Sequence, residues 1–149
     1  MRSRLLLDSN ILVYAFDQAD PAKQRKAVEV LRTAFDTGAG LLSVQVLGEF
    51  FSVATRKIFH PLTAAEAQEE VGKFLDSWPV VGITEMVLIE AVRGVKENGF
   101  SYWDAQLWAT ALLNQVPVIL SEDFQDGLQA EGVRFTNPFS NKFEISTLV

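Results

Sequence analysis

Four apolar runs, each too short for a helix and the first three each followed by helical periodicity, limit what this chain can become. They are Leu5–Leu7, Gly40–Val44, Trp78–Ile83 and Val116–Leu120. Short strands that alternate with helices build a parallel sheet covered on both faces. The expected class is therefore α/β: three layers in the order α/β/α, with a central parallel sheet of four to five strands. Val116–Leu120, apolar throughout, belongs near the sheet centre, and a further run, Val133–Thr136, reads as its last edge strand.

The helices between these runs carry their own punctuation. Ile11 to Phe16 reads as a short helical turn. Asp20-Pro21 supplies a cap and a first-turn proline for a helix to about Thr37, which Gly38 closes. From Gln45 to Ile58 the apolar positions leave Gln45, Glu49, Ser52 and Arg56 as one polar stripe. Thr63 and Glu66 have capping-box spacing and open a helix to about Ser77, with Ala67, Val71, Phe74 and Leu75 inward. Thr84 to Asn98 ends at Asn98-Gly99, and Ser101 caps Tyr102 to Asn114. Beyond Pro138 the pattern is too weak to assign.

At 149 residues the chain is expected to be one domain, residues 1–149. It has no cysteine, which excludes disulfides, zinc fingers and thiol nucleophiles and fits a cytoplasmic location. Arg2 and Arg4 before Leu5–Leu7 resemble the start of a signal peptide, but Asp8, Asn10 and Asp17 interrupt the apolar run. No stretch reaches the roughly 18 apolar residues of a membrane helix. The net charge of −6 disfavours a nucleic-acid partner unless the acids neutralise one another through bound cations.

That condition directs attention to the acids. Asp8, Glu49, Asp104 and the pair Asp123 and Asp126 each follow an apolar strand or open a helix. In a parallel α/β fold such positions share one rim. Local roles are open to each: Asp104 as a first-turn acid, Glu49 on a solvated face, Asp123 and Asp126 in a turn. Asp8, ending a strand that reads as buried, has the fewest. Carboxylates within about 5 Å repel by roughly 3 kcal/mol per pair at an effective dielectric near about 20, so an ionised cluster requires a cation or protonation. Oxygen ligands without cysteine or a nearby histidine favour Mg²⁺ or Mn²⁺ over Zn²⁺. The lone histidine, His60, precedes a proline in a turn, and neither a phosphate-cradling glycine loop nor a nucleophile elbow is present.

In combination, Leu7-Asp8-Ser9-Asn10-Ile11-Leu12-Val13-Tyr14-Ala15, Ser43-Val44-Gln45-Val46-Leu47-Gly48-Glu49-Phe50, Ser101-Tyr102-Trp103-Asp104-Ala105 and Ser121-Glu122-Asp123-Phe124-Gln125-Asp126-Gly127 resemble the PIN-domain family, and within it the VapC-type toxins. The resemblance runs from the first strand to about Asn137. It implies a metal-dependent ribonuclease whose acidic quartet is Asp8, Glu49, Asp104 and Asp123, with Asp126 as an accessory acid. It also implies products with a 5′-phosphate and a 3′-hydroxyl, a homodimer, and a small antitoxin that blocks the site. Ser9 stands where the family often has threonine and keeps the hydroxyl.

On this reading Mg²⁺ or Mn²⁺ at Asp8, Asp104 and Asp123, with Glu49 direct or through water, activates a water against an RNA phosphodiester. Asn10 and Ser121 are candidates to orient that water. Arg56, Lys57, Arg93 and Lys96 are candidates to track the RNA backbone, and Tyr102 and Trp103 to stack on a base. Two alternatives stay open: a catalytically silent PIN-like module that binds or scaffolds in RNA processing, and a phospho-accepting receiver domain. The second lacks the lysine it needs, because Ser121-Glu122-Asp123 occupies that place.

Overall fold

The computed structural model of the chain describes residues 4–149; Arg2, part of the signal-peptide reading, lies outside them. The elements in order are β1 (Leu5–Leu7), α1 (Ser9–Phe16), α2 (Pro21–Asp36), β2 (Gly40–Ser43), α3 (Val44–Ala54), α4 (Ala64–Ser77), β3 (Val80–Val81), α5 (Glu85–Asn98), α6 (Tyr102–Leu113), β4 (Val118–Leu120), β5 (Gln129–Ala130) and β6 (Val133–Thr136). A 3₁₀ turn at Ile145–Thr147 follows.

Helix starts obey the capping chemistry in the sequence. The Asp20 carboxylate accepts from the Lys23 N–H at 3.1 Å, and Thr63 and Glu66 close a reciprocal box at 3.1 and 3.0 Å. Gly99, at φ +71°, takes the left-handed turn that ends α5. Several ends differ from expectation, and β4, expected from Val116, starts at Val118. Helix α3 stops at Ala54, four residues before Ile58, where Thr55 Oγ1 bonds back to the Phe51 carbonyl and the Leu62 N–H takes the Ala54 carbonyl. The third strand shrinks to Val80–Val81. Leu75, expected inward, is 53% exposed on α4.

The sheet order is β3-β2-β1-β4-β6-β5, with β1, β2, β3, β4 and β6 parallel as expected. A sixth strand, β5, joins β6 as an antiparallel hairpin, so Val133–Thr136 is not the edge. Glu131 (φ +51°) and Gly132 (φ +86°) form its two-residue turn, the doubly left-handed geometry that matches strand twist. Among the described residues, both outermost strands have two residues.

Right-handed crossovers place α1 to α4 on one face, as the chain steps outward from β1 to β3, and α5 and α6 on the other, as it returns to β4. The packing agrees: α1 meets α2 and α3, α3 meets α4, and α5 lies against α6. The buried core is made of both layers and the sheet, including Leu5, Leu6, Leu7, Phe50, Trp108 and Phe135. Close approach between α5 and α6 depends on Gly94, where a Cβ would fall 2.8 Å from the Trp108 ring. That ring's Nε1–H donates to the Ala130 carbonyl at 3.1 Å, tying β5 to the α6 layer.

From β1 the chain adds β2 and β3 on one side and then, with parallel β4, on the other, so the crevice beyond the carboxyl ends of β1 and β4 is the topological switch point of the sheet. No described helix is long and apolar enough to cross a membrane.

Candidate active site

At that switch point the last residue position of β1 gives way to Asp8 and that of β4 to Ser121, and the two side chains meet. Ser121 Oγ donates to Asp8 Oδ2 at 2.6 Å, although 113 positions separate them in the chain. Asp8 also caps α1, its Oδ1 accepting from the Ser9 N–H at 2.7 Å. The carboxylate is 7% exposed, and burial, first among the causes, raises its pKa to about 6. The charges of Glu49 and Asp123 push in the same direction, while the bonds from Ser121 and Ser9 partly oppose them.

Asn10 completes the floor. Its Nδ2–H donates to Ser121 Oγ at 3.2 Å and lies 3.5 Å from Asp8 Oδ2, and its Oδ1 accepts from the Glu122 N–H at 3.4 Å. Ser121 Oγ in turn accepts from the Asp123 N–H at 3.1 Å, which fixes the start of the turn that carries Asp123. Asn10 and Ser121 therefore hold the Asp8 carboxylate directly.

Glu49 approaches from α3. Ser9 Oγ donates to its Oε2 at 2.9 Å and Gln45 Nε2 to its Oε1 at 2.8 Å. The Gln45 amide reaches further, donating to the Trp103 carbonyl at 3.1 Å, so it joins α3 to the first turn of α6, where Asp104 stands. The Asp104 N–H is capped by Ser101 Oγ at 3.2 Å, and its carboxylate has no hydrogen-bond partner among the described residues. Gln45 Oε1 is buried without a partner. Gln45 was visible in the sequence only as a member of the polar stripe; its i, i+4 spacing to Glu49 is the signal that marks it.

Among the described residues no three acidic or imidazole side chains converge closely enough to share one ion. Glu49 and Asp123 are nonetheless near enough for their charges to act on Asp8. Asp126 stands apart: its Oδ1 accepts from the Asn137 N–H at 2.9 Å and anchors the chain after β6.

The candidate RNA-tracking cations differ in freedom. Arg93 is engaged by Glu90, Glu97 and Glu131. Arg56 bonds to the Ser52 carbonyl and hydroxyl, whereas Lys57 and Lys96 are exposed. Trp103 is 65% exposed, and Tyr102 donates to Gln106 at 2.9 Å while packing edge-on against Trp103. His60 lies against Phe59 in an exposed turn.

Several solved structures share this architecture. A toxin–antitoxin complex from Klebsiella pneumoniae matches with a TM-score of 0.66 at 18% identity, covering 91% of this chain and 98% of that one. VapBC2 from Rickettsia felis, bound to a DNA fragment from its promoter, matches with 0.63 at 13%, covering 89% and 97%. Mycobacterium tuberculosis VapC20, a toxin that cleaves the sarcin–ricin loop, matches with 0.60 at 13%, covering 77% and 86%. At these identities the likeness is one of fold. No curated protein matches the chain by sequence. The PIN domain family profile, however, matches residues 5–125, a span that includes β1, the switch-point crevice and the turn carrying Asp123. By that match over most of its length, together with its fold, the chain belongs to the PIN domain family.

Proposed function

We propose that this protein is a metal-dependent endoribonuclease, the toxin of a type II toxin–antitoxin pair, with Asp8, Glu49, Asp104 and Asp123 as its acidic set. The observation that carries the reading is Asp8. A carboxylate this buried, its pKa raised to about 6 by desolvation and by two neighbouring acids, is a poor structural element and a good ligand for a hard cation.

The donor set fits such an ion. Every candidate ligand is a carboxylate oxygen, no cysteine exists to compete, and the only histidine is on an exposed turn. Asp8, Asp104 and Asp123 would hold Mg²⁺ or Mn²⁺, with Glu49 direct or through water. When bound, the ion supplies positive charge to the scissile phosphate and lowers the pKa of a coordinated water. Ser121 and Asn10 keep Asp8 oriented, and Ser9 and Gln45 hold the Glu49 carboxylate by both oxygens. Such supporting bonds commonly alter metal affinity or activity by about 10- to 100-fold.

Two apolar surfaces suit two protein partners. Val44, Leu47, Gly48, Phe51, Val71 and Leu75 line a groove between α3 and α4. Being concave, it suits an inserted segment of a small antitoxin. On α5, Leu88, Ile89, Val92 and Val95 are exposed in one stripe, a convex face that matches a symmetry-related copy of itself in a homodimer.

The decisive experiment is RNA cleavage with Mg²⁺, with chelator, and by Asp8→Asn and Asp104→Asn. Loss of several kcal/mol of transition-state stabilisation is expected to lower the rate by about 10²-fold or more in each case. Undiminished cleavage in chelator and in both variants would sink the metal mechanism, and absence of Mn²⁺ binding by calorimetry would favour a silent binding module.

A further inference from the structure

The chain after β6 lies outside the family match, which ends at residue 125, yet it packs against α1, the helix that carries Asn10, with the Phe139 ring edge-on to Tyr14 at 5.0 Å. Consecutive turns build it: the Phe139 N–H donates to Asn137 Oδ1 at 2.9 Å and the Phe143 N–H to the Ser140 carbonyl at 3.1 Å. These turns set both phenylalanines against α2, where with Lys23, Lys26 and Asn141 they line an open cleft of about 310 Å³. That volume is at the lower end of the range for small-ligand sites, roughly 300 to 1,000 Å³.

The lining is unusual for an acidic protein. Its two ionisable residues are both lysines, although the chain carries −6 overall. Lys23 Nζ stands 4.8 Å from the Tyr14 ring centre and 5.6 Å from that of Phe139, and it is held by Glu122 at 2.5 Å. Lys26 Nζ lies 5.8 Å from the Phe143 ring centre, and its carboxylate neighbour, Glu29, is 3.6 Å away, too far for a hydrogen bond. Lys26 is thus the less committed cation. The cleft is also wired to the candidate site: Glu122, which accepts from Tyr14 Oη and Lys23, gives its N–H to Asn10 and precedes Asp123.

Aromatic rings beside a lysine whose carboxylate neighbour lies beyond hydrogen-bond reach are the combination by which proteins hold single-stranded nucleic acid, with bases on rings and phosphates on cations. An acidic peptide would use the lysines but leave the phenylalanines idle. We infer that this cleft is a subsite for one nucleotide of a single-stranded RNA, its base against Phe139 and Phe143 and its phosphate at Lys26. The inference rests on the ribonuclease reading for its role beside the scissile bond, but binding is measurable without cleavage.

The test is fluorescence anisotropy of a labelled oligouridylate hexamer in chelator across a salt series, with wild type, Lys26→Gln and Phe143→Ala. Both variants are expected to bind about tenfold more weakly. Lys26→Gln should also flatten the log K against log salt slope by about 0.7, and Phe143→Ala should leave the slope unchanged. Should Phe143→Ala fail to fold, the slope of Lys26→Gln decides alone. Wild-type affinity and slope in Lys26→Gln would overturn the subsite, as would displacement of the hexamer by hexaglutamate as readily as by unlabelled RNA. Cleavage in Mg²⁺ is scored separately: binding with the expected variant effects but no cleavage supports the subsite and removes the nuclease reading, whereas cleavage with unaltered variant binding does the reverse.

Discussion

Asp8 carries a cost in stability that should be measurable without any substrate. Below its ordinary pKa of 3.8 the group is protonated in both folded and unfolded chains; between there and about 6 only the folded chain keeps the proton; above about 6 the folded chain holds a buried charge. The stability Asp8 contributes is therefore complete at low pH and lost as pH rises through about 6. In chelator, raising the pH from 5 to 7.5 should lower the denaturation midpoint, with at most about 1.4 kcal/mol attributable to this group, since most of its effect lies below pH 5. Asp8→Asn should be more stable than wild type at pH 7.5, with a flatter pH profile; equal profiles would contradict the burial argument. Gln45 makes the complementary case. Gln45→Met removes the amide from Glu49 and the orphaned Oε1 together, so we expect activity or Mn²⁺ affinity to fall about tenfold while the denaturation midpoint in chelator stays near wild type. The sequence disclosed these residues unequally. Asp8 stood out because a carboxylate ends a run of three leucines, whereas its bond to Ser121 joins distant segments and has no local signature. Arg93, read from the sequence as a candidate for the RNA backbone, shows the same division: Glu90 and Glu97 sit at helical spacing from it, but Glu131 arrives from the β5–β6 turn.

At the scale of elements, capping chemistry made helix starts legible, and Asp20, Thr63 and Ser101 all cap as their spacing implies, while Thr84, read as a helical residue, caps α5. Ends and edges were less legible. Strand β5 has two residues, and its turn is Glu131-Gly132 instead of the asparagine- or aspartate-glycine pair that announces such a hairpin. Glu131 can occupy a left-handed conformation there because Arg93 and Asn98 fix its carboxylate from α5. The α5–α6 contact is equally specific. Gly94→Ala places a methyl within 3 Å of a fully buried tryptophan ring that cannot move aside, and should destabilise by about 1 to 3 kcal/mol in chemical denaturation. Because Trp108 also bonds to Ala130, the same substitution should increase hydrogen exchange in β5 and β6.

For the molecule as a whole, the alternation of strands and helices was enough to expect strand ends and helix starts on one rim, where Ser9 joins Asp8 to Glu49, but strand order, which sets the switch point, was not read from it. The surface proposed for a homodimer was not readable at that level, since it depends on which apolar residues of α5 remain uncovered after α6 packs. Ile89→Asp and Val92→Asp place charges in the exposed stripe and should convert a dimer to a monomer in sedimentation velocity without loss of fold. A wild-type protein that sediments as a monomer at micromolar concentration would remove the dimer from the proposal. The sheet itself limits the kinds of association open to this protein. With two-residue strands at both margins it offers almost no free row of backbone donors and acceptors, so an extended peptide has little to zip onto and amyloid-like stacking has little to start from. Recognition is left to helix surfaces, where side-chain shape discriminates among partners far better than a bare backbone edge does.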